Sequence, residues 1–241
     1  MADVAHVSDL MVIAIARLLR DGETVLHGVA SVVPMVAVNV AKRLHAPNLV
    51  YLSVAGAVDP RLPALPSSST DQRLMTGSAS VFANEDFYDF CSRGQLDTAF
   101  LGAVQMDAEG RTNVSVIGEF ERPKVRLPGG GGAAVIMPTA KRVIVWRTQH
   151  NRRVFVEKID FVTGVGNVDR VVTPLAVLRR QEGRLRIESV HAHSSVEEIV
   201  ENTGFDLGIV EPVPVTPEPT AAELAALAAV DPGRVRDLEF H

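Results

Sequence analysis

The run Asp9–Arg20 is apolar through its middle and polar at its ends, and it predicts a helix closed by Asp21-Gly22. Ser8 or Asp9 is the expected cap, and Arg17 and Arg20 suit the C-terminal end. Glu23–Val29 then reads as a short apolar strand, and Pro34–Leu44 as a helix with proline at a permitted first-turn position. Asn48–Ser53 is a strand that leaves sharply through Gly56, Asp59 and Pro60. Helix, strand, helix, strand within about sixty residues is the rhythm of an α/β fold, a mostly parallel sheet with crossover helices.

Pro60–Thr70, with three prolines and three serines, reads as a surface loop. A short helix follows over 84–91, stopped near Gly94, then a strand over 97–104, a turn at 107–110 and a strand over 112–117. Further strands are expected at 142–147, 153–156, 171–178 and 184–188, and a helix capped by Ser194 or Ser195 runs to Glu201. A Pro-rich passage, 212–219, precedes an Ala/Leu helix at 220–229. No repeat is visible and composition does not shift before Pro212, so the expectation is one domain, 1–241, with a C-terminal arm from 212.

Composition narrows the function classes. At 46% hydrophobic and 22% charged, the 241 residues make an ordinary packed globule. Aromatics are only 5%, and the Val, Ala and Leu bias suits buried strands. A formal charge of −5 argues against nucleic-acid binding. The lone cysteine, Cys91, excludes a disulfide framework and a Cys-based zinc site. No apolar run approaches the ~18 residues of a membrane span, and no basic leader opens the chain, so a cytoplasmic protein is expected.

Four consecutive glycines, Gly129, Gly130, Gly131 and Gly132, are the strongest local feature. They make either a tight turn between strands or a loop whose N–H groups converge on an anion. The spacing Gly129-x-Gly131-x-x-Ala134 touches the dinucleotide fingerprint, but Pro138 comes too early for the long helix that fingerprint needs. Arg122, Lys124 and Arg126 alternate just ahead of the glycines and would share one face of a strand. That face is either solvated or captures an acidic substrate. His191-x-His193 lacks further ligands at useful spacing, so no metal is expected. Glu85-Asp86 and Glu197-Glu198 sit at helix starts, where carboxylates favour the dipole.

Three of these segments carry a resemblance. Gly94-Gln95-Leu96-Asp97, continuing through Gly102-Ala103-Val104-Gln105-Met106-Asp107, is similar to a Gly-x-x-Asp…Gly-Ala-x-Gln-x-Asp run. Gly110-Arg111-Thr112-Asn113-Val114 resembles a Gly-Asn-x-Asn-Val turn, with Arg111 replacing the first Asn. Arg122–Gly132 resembles a glycine loop and its approach. Together with Thr203-Gly204-Phe205 and the Pro-rich arm, they resemble the β subunit of class I coenzyme A transferases of the glutaconate type over essentially the whole chain.

The resemblance implies an enzyme that pairs with an α subunit, as α2β2, and acts on an acyl-CoA with no cofactor beyond the coenzyme A of the substrate. It implies Gly131 and Asn113 as catalytic groups, and Arg126, Gly129, Gly130, Gly132 and Val54 as substrate-binding ones. Transferases of the family carry Ser-Glu-Asn-Gly after the second strand, and that Glu attacks the thioester. The matching residues here are Ser53-Val54-Ala55-Gly56, and Val54 has no nucleophilic atom. Within the family the pattern is most similar to members that hydrolytically open the last steroid ring of a cholesterol-derived acyl-CoA. The implied reaction is C–C cleavage of a cyclic β-keto thioester, with a conventional transferase subunit or a noncatalytic scaffold as alternatives.

Overall fold

A computed structural model describes residues 3–240. It divides into two compact units, one running to Phe100 and including the chain from Glu218 onward, the other Leu101–Pro217.

The first unit begins with α1 (Val4–Arg17), β1 (Thr24–His27), α2 (Val32–Leu44) and β2 (Val50–Ser53). The short β3 (Ala57–Val58) and β4 (Ser80–Val81), then α3 (Asn84–Ser92) and β5 (Thr98–Gly102), follow. β1 pairs in parallel with β2 and with β5, and β3 and β4 add antiparallel edges. The expected α/β sheet with crossover helices is therefore present. α2 buries Met35, Val36, Val38 and Val40, and each such side chain contributes ~1.5–3 kcal/mol against its exposed state. The first helix starts at Val4 rather than near Asp9, because the Asp3 side chain caps it by accepting from Ala5 N at 3.2 Å. Ser8 is buried and donates to Asp237 instead.

The second unit holds β6 (Gln105–Met106), β7 (Thr112–Asn113), β8 (Val116–Gly118), β9 (Pro123–Arg126) and α4 (Ala133–Thr139). It continues with β10 (Arg142–Trp146), β11 (Val168–Val172), β12 (Ala176–Gln181), β13 (Arg184–Val190) and α5 (Val196–Glu201). β10 and β11 are parallel, and β11, β12 and β13 form an antiparallel meander.

Three expected strands change. The stretch 112–117 breaks into β7 and β8, because Asn113 Oδ1 accepts from the N–H groups of Ser115 and Val116 and turns the chain. The stretch 153–156 makes only a bridge, Phe155 to Met106. The stretch 171–178 is two strands, reversed at Thr173, whose hydroxyl accepts from Leu175 N and Ala176 N.

The chain then passes through the Pro-rich segment to α6 (Ala221–Val230), which a Thr220/Glu223 capping box starts. Arg17 of α1 grips Glu223 through Nε and Nη2, both at 2.7 Å, and holds that carboxyl down to about 2.

Candidate functional site

The glycine loop is built between two anchors. Leaving β9, Leu127 N donates to Ser115 O at 2.9 Å and Gly129 N to Val114 O at 2.8 Å. At the far end, Ala133 N donates to Gly130 O at 2.7 Å and turns the chain into α4. Between them Gly129 and Gly131 adopt φ of +93° and +48°, a region that disfavours any side chain. Among the described residues the N–H groups of Gly130, Gly131 and Gly132 meet no protein acceptor. Three adjacent amides are thus available to a negative oxygen, at a place where Gly129 and Gly131 face open space.

A network of polar groups supports the loop from behind. Asn113 is wholly buried, and its Nδ2 donates to Gln105 Oε1 and to Val116 O, both at 2.7 Å. With its Oδ1 taken by two amides, every hydrogen-bonding position of the Asn113 amide is used internally. Asn113 therefore positions Gln105 and the β7–β8 turn. Gln105 passes the network on, donating to Asp160 Oδ2 at 3.1 Å and accepting from Asp160 N at 3.0 Å. The same Asp160 oxygen accepts from Gly118 N at 2.9 Å. Arg111 pairs through Nε with the buried Asp107 at 2.6 Å and closes the 107–111 turn.

Sequence reading named Gln105 only as part of a resembling run, without a role, and did not single out Asp160 or the stretch Thr163–Gly166. The last of these lies under the loop. Thr163 Oγ1 shares a 2.7 Å hydrogen bond with Ser115 Oγ and accepts from Val114 N at 3.1 Å. A Cβ on Gly164 would stand 2.4 Å from Met137 Sδ, and one on Gly166 would stand 2.1 Å from Met137 O. Only glycine lets α4 lie this close, and the alternation Gly164-Val165-Gly166 was the available signal.

Arg126 ends β9 with an exposed side chain. Its Nη2 donates to Phe120 O at 3.1 Å, and its guanidinium lies 4.9 Å from the centre of the Phe120 ring. Phe120 in turn stacks on Phe161 at 4.8 Å. Arg126 makes no ion pair among the described residues, so most of its donors remain available to an anion. Arg122 and Lys124 are also exposed.

Val54 belongs to the first unit. It sits half-buried in the turn from β2 to β3, which Gly56 N closes onto Ser53 O at 2.9 Å. On β2 nearby, Tyr51 donates to His27 Nε2 at 2.5 Å, while His27 Nδ1 faces Gly28 O at 3.0 Å. A carbonyl only accepts, so Nδ1 carries the proton and Nε2 is the acceptor. Burial pushes His27 down to about 4 and keeps it neutral. His191 commits both ring nitrogens, to Thr216 Oγ1 and Thr173 O. Cys91 is buried, and burial raises its thiol to about 11. Among the described residues no group of three or more His, Cys, Asp or Glu could hold a metal ion, and no helix is long and apolar enough to cross a membrane.

The sequence pattern of one family, Coenzyme A transferase, matches residues 9–202. The β-type subunit of the 3-oxoadipate CoA-transferase of Pseudomonas knackmussii is 32% identical, over 93% of this chain and 92% of its own. The cholesterol ring-cleaving hydrolase IpdB subunit of Rhodococcus jostii is 24% identical, over 94% and 93%. Among solved structures, a chain of the decarboxylase AibA/AibB superposes with a TM-score of 0.91 at 33% identity, over 97% of this chain and 98% of that one.

Proposed function

Because the chain belongs to the coenzyme A transferase family, as a β-type subunit, we propose that it works with a related α chain, in an α2β2 assembly, on an acyl-CoA whose carbon–carbon bond it helps to break. The observation that carries this reading is Val54. At the exit of β2, where the resemblance to transferases would put the attacking carboxylate, this chain carries a hydrocarbon, so the thioester is bound without being attacked there.

C–C cleavage beside a thioester needs two services. The carbonyl under attack must become an oxyanion, and the departing carbon must keep the bonding electrons as an enolate. The free N–H groups of Gly130, Gly131 and Gly132 supply the first in backbone form, with Gly131 nearest the developing charge. Arg126 supplies a planar donor fork for the substrate's anionic end. Asn113, Gln105 and Asp160 keep the loop's floor fixed.

The reaction proposed first is hydrolytic opening of a cyclic β-keto thioester derived from the last steroid ring. Water, activated by a carboxylate of the α chain, adds its hydroxyl to the ring ketone. The C–C bond then breaks towards the carbon next to the thioester, which takes up the proton. A second reading, loss of carbon dioxide from a carboxylated acyl-CoA, delivers the electron pair to the same kind of carbon. It is favoured by the higher identity to the decarboxylase chain, 33% against 24% for the IpdB subunit.

The copurified pair should be given a ring-intact steroid CoA ester and, separately, the CoA monoester of an unsaturated dicarboxylic acid. A product heavier by one water supports hydrolysis, and one lighter by carbon dioxide supports decarboxylation. Exchange of CoA onto a free acid, with every carbon skeleton intact, would sink both.

A further inference from the structure

β11, β12 and β13 bring three arginines into one cross-strand row. Arg179 stands directly opposite Arg170 on one side and directly opposite Arg186 on the other. Like charges in such facing positions destabilise a sheet unless something neutralises them. Arg170 is neutralised: it holds Glu188 in a two-pronged pair at 2.5 and 2.9 Å and also pairs with Asp169. The Arg179 side chain makes no hydrogen bond or ion pair among the described residues. Arg186 spends Nη1 on Leu207 O at 3.4 Å and lies over Gly208, where a Cβ would stand 1.2 Å from that nitrogen. Glycine at 208 therefore makes the room in which this guanidinium lies.

Both arginines line a cavity of about 660 Å³, within the ~300–1,000 Å³ range of small-molecule sites. Arg180 joins them, and Glu182 is the one acid of the lining. Ile209, Val210 and Val213 add an aliphatic part to the lining, and Val210 is 81% exposed. The surplus of positive charge stands out in a chain of net charge −5.

We infer that this groove binds a phosphate ester with a flat apolar body, the chemistry of a nucleotide. Arg179 and Arg186 together offer more N–H donors than one carboxylate can accept, whereas a diphosphate spans both forks. The aliphatic part of the lining and the guanidinium planes suit the faces of a ring. The nucleotide is either a free effector or the nucleotide end of the coenzyme A that the proposed reaction carries.

The test is calorimetric titration of the enzyme, purified with its partner chain, using ADP, and inorganic pyrophosphate as the probe of charge alone. One ADP should bind per copy of this chain, with pyrophosphate about 10-fold weaker for want of the ring. Arg179→Gln and Arg186→Gln should each weaken ADP about 10-fold or more, the scale of one lost charge-assisted fork. Arg179→Glu gives its arginine neighbours an opposite charge, so it should raise the melting temperature while abolishing binding. Displacement of ADP by free coenzyme A assigns the groove to the substrate's own nucleotide, and simultaneous binding assigns it to an effector. No ADP binding, or ADP binding within twofold of wild type in the arginine variants, overturns the proposal.

Discussion

A single methyl on Gly130 measures how firmly the glycine loop is held. Its Cβ would stand 2.8 Å from Thr163 Cγ2, closer than atoms tolerate. Thr163 is not free to yield, because its hydroxyl holds Ser115 Oγ and Val114 N, and its own N–H donates to Thr112 O at 2.8 Å. The loop must move instead. Overpacking of this kind costs ~1–3 kcal/mol, a fall of roughly 2–12 °C at ~2–4 °C per kcal/mol for a chain this long. Thr163→Ser deletes the offending methyl and keeps the hydroxyl, at a cost of ~1 kcal/mol. In the double variant the clash has no partner, so Gly130→Ala/Thr163→Ser should melt within about 2 °C of Thr163→Ser alone, a coupling of ~1–2 kcal/mol. Turnover should follow the same logic. Gly130→Ala displaces the N–H donors and should lose ~10–100-fold, and the second substitution should recover it to within about threefold of Thr163→Ser alone. Thermal melts and turnover of the four proteins with their partner chain complete the cycle. Additive melts, or activity that the second substitution does not rescue, would refute the claim that Thr163 props the loop.

Gly131→Val, forced into φ near +48° yet facing open space, should leave the assembly folded while cutting turnover ~100-fold or more; near-normal turnover removes the loop from the chemistry. Arg126→Lys and Arg126→Ala should each cost ~2–4 kcal/mol in kcat/KM, about 30- to 1,000-fold, with unchanged melts; rates within about threefold of wild type would make Arg126 a surface residue. His27 and His150 are both pushed down by burial to about 4, so the unfolded chain binds more protons than the folded one between that value and 6.5. Stability should therefore be full above pH 6.5 and fall as pH drops towards 4, and His27→Gln should flatten the fall seen in urea titrations at stepped pH. An unchanged slope in that variant would contradict the assignment.

Much of the fold could be read from one-dimensional pattern, because buried crossover helices and Val-rich strands leave long periodic signals. α2, β5 and α6 fall within a few residues of their expected ranges for that reason. The misread places are those where a single side chain overrides the pattern. Asp3 extends α1 backwards, Asn113 breaks the stretch expected as one strand over 112–117 with a turn, and Thr173 reverses what looked like one strand. The candidate site was half legible. The glycines, Arg126 and Asn113 stand out in the chain, whereas Asp160 and Thr163 are ordinary polar residues in a loop until the fold sets them against Gln105 and Ser115. Spacing could not announce the Arg179–Arg186 pairing either, since it depends on the register of β12 against β13.

On the proposed reading, Val54 should leave this chain without a covalent CoA step. Intact-mass analysis of the purified pair, quenched during turnover of an acyl-CoA, decides this. This chain should stay at its unmodified mass while the carbon skeleton of the substrate is cleaved. A population of the chain heavier by coenzyme A less one water, reversed by free acid, would contradict it.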